Sequence, residues 1–235
     1  MKNQSKIPAK KTLIAAVLLM FMMINIAIAY NPFASVKVVD HLAETYYDIS
    51  ENVSSRINGF SLDEIGGTVK AITENPEIAK FEFRVKNKWI KGGHNRSRIQ
   101  GFYGGGQEDS SRKKPFIYDN SEPPILLGNN EGANPVEYIL HGLAGCMTTT
   151  MVLHAAANGI QLKSVESSLE GDLDVMGFLG LNDKVRNGYQ QIRVKFNIEG
   201  DLTQEQKEKL ESFVRKSPVF DIVTNEVPVL VSLEY

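Results

Sequence analysis

A chain of 235 residues with 42% hydrophobic and 23% charged side chains can hold one well-cored domain with appendages, and nothing in it suggests a second full domain. The formal net charge of -2 leaves no basic footprint, which argues against nucleic acid as a partner. The single cysteine, Cys146, rules out an internal disulfide and with it a disulfide-stapled scaffold.

The N-terminus reads as a targeting segment. Lys2, Lys6, Lys10 and Lys11 precede an apolar run from Leu13 to Ala29, broken only by Asn25 and ending in Ala27-Ile28-Ala29. That is the layout of a secretory signal cleaved after a small residue. Removal of residues 1–29 would take four lysines and no acid, leaving 22 basic against 28 acidic side chains. The rival reading is an uncleaved membrane anchor over residues 12–29, since the run is close to the lower limit of about 17 residues for a bilayer span. Either reading exports the body to the periplasm or another extracytoplasmic space.

Residues 30–76 read as a helical extension with one thin apolar stripe of Val36, Val39, Leu42 and Tyr46. A capping box at Ser61-Leu62-Asp63-Glu64 leads into Ile65, Val69 and Ile72. Phe81, Phe83, Val85 and Trp89 then alternate with polar residues, and Ile99 to Tyr103 and Pro115 to Tyr118 continue the strand pattern. Gly92-Gly93 and Gly104-Gly105-Gly106 punctuate an antiparallel meander. The second glycine run lacks the Gly-Lys-Ser/Thr ending of a phosphate loop, so it reads as a turn.

Asn134 to Gly159 is the organising stretch. Asn134 suits a cap, Pro135 the first helical position, Glu137 the carboxylate of a capping box, and Asn158-Gly159 the stop. Ile139, Leu143, Cys146, Met147 and Thr150 recur at three and four residues, which predicts a core helix. Small Gly142, Ala144 and Gly145 would let a neighbour approach the Cys146 sulfur. Two alternating strands follow, Val165 to Val175 and Ile192 to Ile198, joined by a loop through Gly177-Phe178-Leu179-Gly180. Thr203 to Gln206 caps a further helix, Ser217-Pro218 opens a short one, and Val229, Val231, Leu233 and Tyr235 predict a closing strand. Strands, helix, strands, helix, strand make an α+β domain.

The chemistry narrows to the cysteine. His41, His94, His141 and His154 show no metal-ligand spacing, no Gly-x-Ser-x-Gly elbow occurs, and neither a cofactor nor a metal is implied. On its own, Cys146 reads first as a small buried hydrophobe. A reactive thiolate needs a nearby positive charge. Cys146 lies about three turns from Pro135, beyond the reach of the helix dipole. The candidate cations are therefore Arg96, Arg98, His141 and His154.

Asn134-Pro135-x-Glu137-x(8)-Cys146, the small residues around the cysteine and Ser217-Pro218-Val219 after an amphipathic helix resemble the OsmC/Ohr family, the osmotically inducible protein C and organic hydroperoxide resistance proteins. The resemblance covers roughly residues 77–235. It implies an α+β sandwich with antiparallel sheets around a long buried central helix, in an intertwined homodimer with active sites at the interface. It also implies peroxiredoxin-like chemistry, with a peroxidatic cysteine at Cys146, an organic hydroperoxide as substrate, and Arg96 as the thiolate-holding arginine. Two positions depart from the pattern. Ser217 occupies the resolving-cysteine position, so an external thiol reductant would be required; the family's arginine-pairing glutamate falls at Val136, one residue before Glu137. Glu137 and Ser217 both read equally well as helix caps. The open alternatives are a one-cysteine hydroperoxide reductase of oxidative-stress defence and a non-catalytic dimer that binds a hydrophobic ligand or serves as a stress-associated structural protein. A membrane would be a partner only with the N-terminal segment uncleaved.

Overall fold

The computed structural model describes residues 56–235, so the signal segment, the stripe Val36 to Tyr46 and His41 lie outside the described residues. The first described element is a hairpin, β1 (Arg56–Ile57) and β2 (Phe60–Ser61), where the sequence pattern had suggested only helix. Its turn is Asn58-Gly59, with φ of 53° and 86°, the residue pair that a two-residue turn with both φ positive selects. Asn58 also ties the hairpin to the core: its Nδ2 donates to the Ile160 carbonyl at 2.9 Å, and its Oδ1 accepts from the Leu162 N–H at 2.8 Å.

Ser61 caps α1 (Leu62–Glu74) by accepting from the Glu64 N–H. The meander then divides into two antiparallel three-stranded sheets. Strands β3 (Glu82–Phe83), β6 (Phe102–Gly104) and β7 (Gln107–Asp109) form one in the order β3-β6-β7. The other, in the order β4-β5-β8, contains β4 (Lys86–Lys91), β5 (His94–Ile99) and β8 (Phe116–Asn120). The expected glycine turns close the β4-β5 and β6-β7 hairpins, with Gly105 and Gly106 at φ of 62° and 83°.

The long helix α2 spans Pro135–Ala157 and carries the full capping box: Asn134 accepts from the first turn while Glu137 Oε2 accepts from the Asn134 N–H at 2.8 Å. Asn158 ends it, followed by Gly159 at φ 71°. By length and hydropathy alone α2 could cross a membrane, but one stripe of it is committed to the protein core. Leu143, Met147, Met151 and Ala155, spaced at four residues, are buried, the leucine and the two methionines contributing about 1.5–3 kcal/mol each. The opposite stripe, including His141, Gly145 and Thr149, is open, and Ile139, one turn before Leu143, is exposed as well.

Strands β9 (Ser164–Leu173) and β10 (Tyr189–Glu199) form a long antiparallel ribbon, and the loop between them contains one helical turn, α3 (Val175–Phe178). Helix α4 (Gln204–Val214), with the predicted Thr203/Gln206 capping box, buries Leu210 and Phe213. They pack with Met151, Ala155 and Ile160, and Val165, Phe196 and Ile198 of the ribbon close over them. Helix α5 (Pro218–Thr224) follows, capped by Ser217.

The closing strand does not form. Residues 225–235 pair with no strand among the described residues, and Leu230 is 97% exposed. The alternation is that of a strand, but a strand needs a second backbone to complete its ladder, and no sheet edge among the described residues pairs with it.

Candidate functional site

Cys146 sits mid-way along α2, half-buried, at the margin between the buried and the open stripe. A Cβ added at Gly142 or Gly145 would meet no atom within 4 Å, so the helix face beside the sulfur is unobstructed among the described residues. The expectation of close approach therefore becomes one of open access. Among the described residues, no side-chain hydrogen bond or ion pair reaches the thiol.

The nominated cations are engaged elsewhere. Arg96, on β5, makes a fork on Asp119 of β8, Nε to Oδ1 at 2.9 Å and Nη2 to Oδ2 at 3.1 Å. The ladder dictates this, because Arg96 and Asp119 are directly opposed. His94, two residues earlier on the same strand, adds its Nε2 to Asp119 Oδ1 at 2.8 Å. The Arg96 guanidinium and then the His94 ring hold the Asp119 carboxyl below its ordinary range, and the same pair raises Arg96. Arg98 donates to Gln100 Oε1 at 3.0 Å. His141 meets the Tyr138 ring edge-on at 6.4 Å, and His154 stacks on Phe213 at 5.3 Å, where burial lowers its pKa.

Glu137 is occupied as the helix cap, and nine residues of helix separate it from Cys146 by about 13 Å along the axis. Any link between that carboxylate and the sulfur must run through a third group. Ser217 is fully buried and its Oγ accepts from the Phe220 N–H at 3.2 Å, a helix-capping geometry. The Asp119 carboxylate and Tyr189 escape a reading by motif. Tyr189 donates through its hydroxyl to the Val136 carbonyl at 2.8 Å, locking the first turn of α2 to the ribbon, with burial and then nearby Glu137 raising its pKa. Gly171 across the ladder makes room for that ring, since a Cβ there would lie 2.4 Å from Tyr189 Cε1. The pairing of a strand arginine with an aspartate twenty-three residues on is the one signal that could have found Asp119. No group of three or more His, Cys, Asp or Glu is arranged to hold a metal among the described residues.

Residues 128–232, which contain the capped helix, Cys146, the ribbon and the Ser217-Pro218 helix, match the family model for OsmC-like protein. That segment, a little under half of the chain, is OsmC-like. Among solved structures it is similar to an OsmC-like protein from Mycoplasma pneumoniae, at 15% identity over 61% of this chain and 87% of the other, with a TM-score of 0.47. It is also similar to an organic hydroperoxide resistance protein OsmC from Legionella pneumophila, at 18% identity over 60% and 88% of the two chains and a TM-score of 0.43. A third, from Psychrobacter arcticus, is described as a putative osmotic stress induced and detoxification response protein; it is 12% identical over 57% and 83%, with a TM-score of 0.44. No curated protein matches the sequence.

Proposed function

We propose that this OsmC-like chain is an exported hydroperoxide reductase of one-cysteine type, working as a homodimer in oxidative-stress defence. The observation that supports it is Cys146, the only cysteine, held half-buried on a doubly capped family helix with open space beside it. The thiolate attacks an oxygen of an organic hydroperoxide, the O–O bond breaks, and the alkoxide leaves and takes a proton to become the alcohol. Cys146 is left as sulfenic acid. One external thiol condenses with it, releasing water, and a second thiol displaces the resulting mixed disulfide to regenerate Cys146. Ser217 has no thiol to offer, so the reductant is external.

The dimer accounts for two unfinished features. The tail from Val227 to Tyr235 has the alternation of a strand without a neighbour, and the apolar side chains Ile139, Phe178 and Leu181 face solvent in the single chain. In the dimer, Arg96 is the cation that holds the thiolate, with Glu137 as its second carboxylate. Residues 1–29 direct export and are then removed; retained, they would anchor the protein to a membrane.

A single experiment tests the chemistry: the full chain is given one equivalent of cumene hydroperoxide, trapped with dimedone and weighed. An adduct on Cys146, absent in Cys146→Ser, with repeated turnover on addition of thiol, is the expected result. Undiminished peroxide consumption by Cys146→Ser would sink the proposal. The commitment of Arg96 to Asp119 favours a second reading, a non-catalytic dimer that binds a hydrophobic ligand, and an untrappable Cys146 would select it. Sedimentation with and without residues 227–235 tests the dimer, and mass spectrometry of the exported N-terminus tests the cleavage.

A further inference from the structure

One face of the β4-β5-β8 sheet carries cations in direct opposition. Lys86 lies across from Arg98, and Lys88 across from Arg96. Like charges directly opposed on a ladder destabilise it. Asp119 answers the second pair through its fork with Arg96. The first pair has no carboxylate: Arg98 bonds only the neutral Gln100 side chain, and Lys86 makes no ion pair among the described residues.

Lys86 and Arg98 open onto a cleft of about 720 Å³ whose wall also holds Arg112, Lys113, Arg84 and Asp109. Arg84 is neutralised by Glu82 and Glu108. Arg112 lies over two rings, 4.9 Å from the Phe102 centroid and 5.4 Å from that of Phe116, while donating to the Gln100 carbonyl. Lys113 donates to the Ser110 carbonyl. Four cations thus face one carboxylate, Asp109, whose own bonds go to Ser111. Such a concentration is out of keeping with a chain of net charge -2.

We propose that this cleft binds a phosphoryl group carried by a small phosphate ester or by a lipid headgroup. The excess of positive charge suits a dianion, and the planar fork of Arg98 suits two oxygens at once while Lys86 and Lys113 supply point charges. The cleft is far larger than a phosphoryl group alone, leaving space for an organic part beside it. This site is independent of Cys146 and its chemistry.

The test uses the full chain in a non-ionic detergent. Calorimetric titration with glycerol 3-phosphate reads the free-ester source, and mixed micelles of phosphatidic acid against phosphatidylcholine read the headgroup source. Saturable binding in either arm, weakened about tenfold or more by Lys86→Gln and by Arg98→Gln and unchanged by Lys195→Gln on the β9-β10 ribbon, is expected. Unliganded Lys86→Gln should also melt higher than the parent protein, because it removes the opposed charge. Absence of saturable binding in both arms, an equal loss in Lys195→Gln, or a Lys86→Gln variant that melts lower and binds unchanged would overturn the proposal.

Discussion

Replacing Ser217 with alanine separates a structural role from a chemical one at the position where the sequence resemblance implies a second cysteine. Helix α5 has only seven residues, too few to stand without tertiary support and good caps. Pro218 removes one orphan N–H of its first turn, and Ser217 Oγ satisfies that of Phe220. Loss of a side-chain cap costs about 0.5–2 kcal/mol. Ser217 is fully buried, so water cannot replace the missing oxygen, which puts the expected loss at the upper end, about 1.5–2 kcal/mol. For a unit of this size that lowers the melting temperature by about 3–8 °C. Urea unfolding followed by circular dichroism measures the loss, and dimedone trapping on the same sample measures sulfenic acid at Cys146. The expectation is lower stability with trapping unchanged. An unaltered urea midpoint would refute the capping argument, and lost trapping at full stability would give Ser217 a chemical role.

Leu210→Ala should cost about 2–5 kcal/mol in the same assay, because Leu210 is buried against Met151, Ile160 and Phe213 and leaves a cavity among them. Acid should weaken the protein in two stages. Burial depresses the folded His154 below its ordinary 6.5, so the unfolded chain takes up that proton first and stability falls as pH drops through about 6.5, a slope His154→Leu should remove. Glu131, held at about 2 by the Ser121 hydroxyl, and Asp119 contribute stability that is complete above about pH 4.5 and lost as pH falls towards their folded values, a loss that Ser121→Ala should reduce.

Local features of the chain were legible wherever the signal was local. The caps at Asn134, Thr203 and Ser217, the stop at Asn158-Gly159 and the glycine turns each rest on one residue meeting one backbone demand within a few positions. The hairpin at Asn58-Gly59 carried an equally local signal, but a helical stripe on either side outweighed it. What stayed hidden depends on distant pairing. The division of the meander into two sheets turns on which strand finds which edge, and Asp119 becomes a partner of Arg96 only through the β5-β8 register. The closing strand failed for a related reason: alternation reports that a segment could pair, and says nothing of where its neighbour comes from.

On the proposed reading, the same long-range pairing bears on activation of the thiol. Asp119 holds Arg96 through Nε and Nη2, and that well-formed fork competes with the Cys146 thiolate for the guanidinium. His94 makes that exchange feasible, because Asp119 keeps one donor when the guanidinium departs and is never stranded. Asp119→Asn removes the competing charge and releases Arg96. Alkylation of Cys146 by iodoacetamide at pH 7 should then accelerate several-fold, since the thiolate fraction rises as its pKa falls. Adding Arg96→Gln to that variant should return the rate to its starting value. Equal rates in the parent, single and double variants would mean that Arg96 never reaches the sulfur, and the cation that activates Cys146, if there is one, would have to be sought on another element.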